Sequence, residues 1–210
     1  MSLDRLTRYS DRGSNDREEL NRLLDEQLVA TVSTVVDGEP WSIPTFYVRD
    51  GDRILIHGST GAGLLRHIAN GAAITFAVHS LDAIVVAYSA FESSANYRSA
   101  VIRGSARKVS NDDAVWALDI LTNGLIPGRM EEVHAHRRKE LAATTVLELP
   151  IENFIFKSRT GPAGEPEEPT SNWFGILPLM TRAGAPEPDP GCQAEVPKSV
   201  HNLVDRLNGA

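Results

Sequence analysis

Three stretches of the sequence carry side chains that could do chemistry. The first is His57-Gly58-Ser59-Thr60-Gly61-Ala62-Gly63, which leads into Leu64-Leu65-Arg66-His67-Ile68. Successive backbone N–H groups of a glycine-containing turn, together with the positive end of a helix, can form a nest for an anion such as a phosphate. Ser59 and Thr60 add hydroxyl donors, and His57 adds an imidazole poised near neutral pH. The plain alternative is an ordinary strand-to-helix turn. Spacing alone favours that alternative, because the run is neither a P-loop nor a dinucleotide fingerprint.

The second stretch is Asn96-Tyr97-Arg98-Ser99. It sets an amide, a guanidinium and a hydroxyl at the start of a strand, and a guanidinium suits a phosphate by bidentate bonding. A solvated loop with a surface arginine is the competing reading. The third group is the histidines. His134 and His136 stand two apart, a spacing at which helical residues do not face each other, and His67 and His79 are isolated. The chain has no His-Glu-x-x-His, no Gly-x-Ser-x-Gly and no Cys-x-x-Cys. No metal site is expected, and the single cysteine, Cys192, can form no internal disulfide.

The whole chain narrows the function classes further. Its 21 Lys and Arg against 28 Asp and Glu give a net charge of −7, with no basic block. Nucleic acid and anionic membrane surfaces are therefore poor partners. No run is apolar enough for a membrane span, and the charged first 16 residues do not resemble a secretion signal. The expectation is a cytoplasmic protein.

The elements that must position these groups follow from periodicity. Asp16 with Glu19 marks a helix start, and Leu20, Leu23, Leu24 and Leu28 share one face, which predicts a helix over 17–27. A β-branched strand over 29–36, the turn Asp37-Gly38, a return strand over 41–48, the turn Asp50-Gly51-Asp52 and a third strand over 53–58 form a meander. A Rossmann or P-loop fold would place a helix between those strands. A short helix closes at Asn70-Gly71. Strands are expected at 72–81, 84–90 and 97–109, the last with Gly104 marking a bulge or bend. A helix capped by Asn111 or Asp112 over about 113–124, a helical turn over 139–144 and strands over 145–149 and 154–159 complete the count. About seven strands with short helices make the chain mainly β, a small antiparallel barrel with helical caps. Residues 158–192 hold seven of the 12 prolines, which precludes an ordinary core. That stretch carries one apolar island, Trp173-Phe174-Gly175-Ile176-Leu177-Pro178-Leu179. The expected division is an arm over 1–16, a barrel over 17–160 and a proline-rich extension over 161–210 that packs on the barrel or on a partner subunit.

Several segments carry a resemblance. They include Arg8-Tyr9-Ser10-Asp11-Arg12-Gly13-Ser14, Val36-Asp37-Gly38-Glu39-Pro40, Ser42-Ile43-Pro44-Thr45-Phe46-Tyr47 and Leu55-Ile56-His57-Gly58-Ser59-Thr60-Gly61. Asn96-Tyr97-Arg98-Ser99, Arg103-Gly104-Ser105-Ala106-Arg107, Pro127-Gly128-Arg129, Arg159-Thr160-Gly161-Pro162 and the Trp173 island follow in order. Together they resemble the flavin-binding split-barrel proteins related to pyridoxamine 5′-phosphate oxidase. Within that family they are most similar to the nitroimidazole-resistance-like flavin–nucleotide-binding branch.

The resemblance implies a six-stranded antiparallel split barrel and a homodimer with two flavin mononucleotides (FMN) at its interface. It implies that Ser42, Ile43, Pro44, Thr45, Phe46 and Tyr47 line the flavin, mostly through backbone. His57, Gly58, Ser59 and Thr60 would lie near the ring and ribityl phosphate, Arg98 and Ser99 would come from a neighbouring strand, and Trp173 would cover the ring, from the same or the other subunit. The family's basic pair at the start of the post-barrel helix is replaced by Gly63 and Leu64, so Arg66 and the turn's backbone would hold the phosphate. The leading expectation is a reductase that takes electrons from a nicotinamide, NAD(P)H, and passes them to a small acceptor, with His57 as proton donor. The alternatives are a flavin- or nucleotide-binding module without turnover, the same barrel holding a deazaflavin or a haem with His57 as axial ligand, and an interaction protein acting through the Trp173 island.

Overall fold

The computed structural model describes residues 10–209. A two-residue strand, β1 (Gly13–Ser14), precedes helix α1 (Arg17–Glu26). The Asp16 carboxylate caps α1 by accepting from the backbone N–H of Glu18 and Glu19. Leu20, Leu23 and Leu24 are buried by the face their spacing defines.

Three strands follow: β2 (Val29–Val36), β3 (Glu39–Asp50) and β4 (Arg53–Ser59). Asp37 and Gly38 join β2 to β3 with φ of 52° and 85°. A two-residue hairpin loop needs this left-handed pair, and aspartate and glycine tolerate it. β3 is the pivot of the fold. It pairs with β2 from Glu39 to Phe46 and with β4 from Tyr47 to Asp50. It therefore leaves one half of the sheet and enters the other between Phe46 and Tyr47. β4 runs on to Ser59 without β3 beside it, and there pairs with β8 (Thr144–Pro150). This opening is the split of the barrel. Helix α2 (Gly63–Ala69) sits at it, with Gly63 against the Trp41 indole.

The rest of the wall is β5 (Ala73–Val86), β6 (Ser94–Ser105) and β9 (Asn153–Arg159), paired antiparallel. β7 (Arg107–Lys108) adds to β8, and β10 (Gly175–Pro178) adds to the far half of β5. The order is β1-β9-β6-β5-β2-β3-β4-β8-β7. Residues from both halves face inward, among them Val32, Ile54, Phe76, Ile102, Leu147 and Phe156. Tyr47 meets Phe76 edge-on at 4.9 Å. Helix α3 (Ala114–Leu125) covers the outside of β4 and β8 by packing Ala117, Leu118 and Leu121 on Leu55 and Val146. Helix α4 (Arg138–Ala143) leads into β8, and helix α5 (Lys198–Asn208) returns the chain to α1 and α3. Arg206 of α5 donates to the carbonyls of Gly124 and Asp25, at the C-terminal ends of those two helices. No helix among the described residues is long and apolar enough to cross a membrane.

The structure refines the sequence reading in several places. Among the described residues seven long strands build the antiparallel split barrel, as the periodicity predicts, supplemented by β1, β7 and β10. The stretches 72–81 and 84–90 are one strand, β5, because Asp82 is absorbed as a bulge between Leu81 and Ala83. Gly104 is not a bulge. It keeps regular register with Ile74 and is small because Leu149 packs on it, where β6 closes on β8. Helix α3 is capped at Asp113, whose N–H is held by the Ser110 hydroxyl, rather than at Asn111 or Asp112. The final residues form a docked helix. Of the expected arm, residues 1–9 lie outside the described residues, while Gly13–Ser14 pairs with β9.

Candidate functional site

Alternation along β3 sorts the expected flavin segment into two faces. Ile43, Thr45 and Tyr47 turn inward with Trp41, and Ser42, Pro44 and Phe46 turn outward. Ser42 shares a 2.7 Å hydrogen bond with Ser33 across the ladder. Tyr47 is a core residue: its hydroxyl donates to the Leu24 carbonyl at 2.8 Å, and burial raises its pKa further above the usual tyrosine value. It holds α1 on the barrel, and only its backbone is near the opening.

His57 lies on the outer face of β4, at the point where β3 departs. Its Nδ1 is buried, and no described residue hydrogen-bonds it. Burial lowers its pKa, so the imidazole is neutral at pH 7 and keeps a lone pair. The register places more beside it. Val29 pairs with Phe46, and one step beyond the last paired positions, Tyr47↔Ile56 and Thr31↔Ala77, the register points Phe46 towards His57 and Val29 towards His79. One row of the outer face thus reads His57, Phe46, Val29, His79. Phe46 is 53% and Val29 47% exposed. Two imidazoles therefore flank two bare apolar side chains, three strand spacings or roughly 14 Å apart along the sheet. His79 and Val29 were missed in the sequence, because a row exists only once four strands are in register.

The turn after β4 does not form the expected open nest. The Thr60 N–H bonds the Ala143 carbonyl, the Gly61 N–H bonds the Ser59 hydroxyl and the Ala62 N–H bonds the Ser59 carbonyl. The donors of residues 60–62 are spent within the chain. Gly58 is small because the Leu65 side chain occupies the space of a Cβ. Ser59, Thr60, Gly63 and Arg66 are exposed at the mouth of the opening.

Arg98 is elsewhere and otherwise engaged. It donates to both oxygens of Asp82 and to Glu26. It lies six residues before Gly104 on β6, about 20 Å along the strand from the α2 end of the barrel. Within one chain, Arg98 is not a free cation and the turn at 57–60 is out of its reach. Ser99 sits next to it on the outer face, with a long 3.5 Å contact to the Lys157 carbonyl. Trp173 precedes β10, whose Gly175 pairs with Val86 at the opposite end of β5 from α2. A cavity of about 350 Å³ under α3 is lined by Arg53, Trp116, Asp113 and Glu148 among others. Its charges satisfy one another: burial would raise the Glu148 carboxyl, but hydrogen bonds from Arg107 and Arg53 outweigh it and hold the carboxyl low.

Residues 16–158 match the family model of pyridoxamine 5′-phosphate oxidase. The chain belongs to the pyridoxamine 5′-phosphate oxidase family. A comparison with curated proteins gave no match. Among solved structures, the FAD and haem binding protein from Mycobacterium smegmatis is 41% identical. The match covers 92% of this chain and 97% of that one, with a TM-score of 0.89. The flavocytochrome Anf3 from Azotobacter vinelandii is 31% identical over 96% of both chains, also with a TM-score of 0.89. A candidate 5-nitroimidazole antibiotic resistance protein from Bacteroides thetaiotaomicron shares the fold at 15% identity, covering 80% of this chain and 90% of that one, with a TM-score of 0.59. At the start of α2, where the sequence pattern led one to expect a basic pair, Gly63 and Leu64 stand instead.

Proposed function

We propose that the protein is an electron-transfer protein of this family that binds a flavin, as FAD, together with a haem, and works as a homodimer. The observation that carries the reading is end-to-end similarity to two proteins named for flavin and haem, at 41% and 31% identity. That similarity favours FAD over the FMN implied by the sequence pattern.

The residues fit a haem on two counts. An imidazole that would ligate iron must be neutral; burial favours the neutral form of His57, whose buried Nδ1 has no partner among the described residues. A porphyrin also needs apolar surface, which Phe46 and Val29 present beside His57, with His79 at the far end of the row. When bound, the flavin supplies two- and one-electron transfer and the haem one-electron transfer. His57 would fix the haem's position, Phe46 and Val29 would exclude water, and the Ser42–Phe46 backbone would hold the flavin edge. A neutral His57 that gives its lone pair to a metal is not available as the imidazolium acid of a substrate reduction. This favours electron passage over proton-coupled reduction of a substrate by His57. Nicotinamide remains the proposed electron source.

Homodimerisation is supported by the outer sheet face, where Val29, Val35, Phe46 and Leu81 are each about half exposed. A monomer would leave that apolar surface bare. The test is a haem titration followed by the Soret band. Wild type should bind, and His57→Ala should lose haem while retaining flavin. Equal haem binding by both would remove His57 from the site.

A further inference from the structure

Trp173 is held in place by a missing side chain. A Cβ on Gly175 would stand 2.9 Å from Cζ2 and 3.1 Å from Cη2 of the Trp173 indole. The ring thus packs on the backbone of β10, in space that only glycine leaves. It is nevertheless 68% exposed. An indole seated on one side and bare on the other is a stacking surface for a planar conjugated ring. Leu177 and Ile84, paired across β10 and β5 on the face of Gly175, extend an apolar floor and are 56% and 37% exposed.

The seat is rigid. β10 pairs with β5 through four residues, and the Leu179 N–H bonds the Asp82 carbonyl at 2.9 Å. Arg98 in turn fixes the Asp82 carboxylate. The seat is also remote from the turn at 57–63 of its own chain: β5 is 14 residues long, on the order of 40 Å, and the two lie towards its opposite ends. If it covers a cofactor held at that turn, the cofactor belongs to a second copy. The turn at 57–63 has no basic pair and the N–H groups of Thr60, Gly61 and Ala62 are spent within the chain, so a terminal phosphate there would draw on the first N–H groups of α2 and on Arg66 alone. The adenine of FAD would add a second anchor that FMN lacks.

We propose that Trp173, seated on Gly175, stacks on the adenine ring of an FAD bound by the partner copy and so selects FAD over FMN. This rests on the flavin-binding homodimer proposed above. Adenine is planar and uncharged, so an exposed indole beside aliphatic side chains is sufficient to recognise it.

The experiment titrates apo-protein with FAD, FMN and ADP, for wild type, Trp173→Ala, Trp173→Phe and Gly175→Ala. Trp173→Ala should weaken FAD about tenfold and FMN less than about twofold, the scale of one lost base stack. Trp173→Phe should restore most of the loss. Gly175→Ala should displace the ring, shift tryptophan emission and weaken FAD while sparing FMN. ADP should quench the emission of wild type more than that of Trp173→Phe. Equal weakening of FAD and FMN by Trp173→Ala would overturn the proposal and put the indole over the isoalloxazine. No weakening of either would overturn it and leave the flavin reading intact. A wild type that binds no flavin at all would overturn both.

Discussion

Arg98 clasps Asp82 through two nitrogens, Nε to Oδ2 at 3.0 Å and Nη2 to Oδ1 at 2.8 Å. Asp82 is the residue that the β5 bulge leaves over, and its carbonyl also anchors Leu179 beyond β10. One ion pair therefore fixes both the bend of the β5–β6 hairpin and the seat of the Trp173 segment. Burial alone would raise the Asp82 carboxyl, but hydrogen bonds from Arg98 and Ser80 outweigh it and hold the carboxyl below its ordinary value.

Arg98→Ala should therefore behave as a stability mutation. It removes charge-assisted bonds from a partly exposed pair, a loss of about 1–2 kcal/mol. The contribution should be present at neutral pH and fade as pH falls below the ordinary aspartate value, because the folded carboxyl binds its proton less readily than the unfolded one. Urea unfolding at pH 7 and pH 3 checks this. A variant of unchanged stability but much weaker flavin binding would return Arg98 to the phosphate-ligand role.

Two neighbouring glycines should respond differently to alanine. At Gly58 the new Cβ would collide with Cδ1 of the buried Leu65, so α2 must shift, at about 1–3 kcal/mol. At Gly61 the nearest atom is the Ser59 hydroxyl oxygen at 3.6 Å and φ is not positive, so Gly61→Ala should cost less than about 0.5 kcal/mol. Melting temperatures of the two variants decide it, and a larger loss at Gly61 would mean the turn is misdescribed.

His57 gives a second pH effect, in the same direction but a higher range. Its folded pKa lies below the ordinary 6.5, so above about pH 6.5 folding is indifferent to it. As pH falls below 6.5 the unfolded chain takes the proton first and stability drops, until the folded imidazole also titrates. Replacing the histidine by phenylalanine should flatten that part of the profile between pH 7.5 and 5.5. An unchanged slope in His57→Phe would assign the effect to another group.

Arg206→Met should loosen the C-terminal helix by removing its donors to Gly124 and Asp25. Limited proteolysis should then cut faster in residues 179–197, with the barrel intact. A cutting rate equal to wild type would show that the bonds of Ser199 to Glu132 and of Asn202 to Pro127 hold α5 without Arg206.

Local signals carried most of the fold. The Asp16 cap, the leucine face of α1 and the Asp37-Gly38 hairpin each act within ten residues, and each formed where chain chemistry put it. What sequence could not show was long-range. The bulge at Asp82 depends on β6 pairing, and the return of Gly175–Pro178 to β5 crosses about ninety residues of chain. The site was legible in part for the same reason. His57 and the β3 segment are marked by local motifs, whereas the His57–Phe46–Val29–His79 row and the engagement of Arg98 by Glu26 and Asp82 arise only when distant strands align.

The central claim is that this chain carries a flavin and a haem together. The direct measurement is the absorbance spectrum of the purified protein, with mass spectrometry of the extracted cofactors after expression with haem and flavin precursors supplied. A Soret band over a flavin envelope is expected, with FAD and haem in the extract at about one of each per chain. A colourless protein that takes up neither group on reconstitution would contradict it.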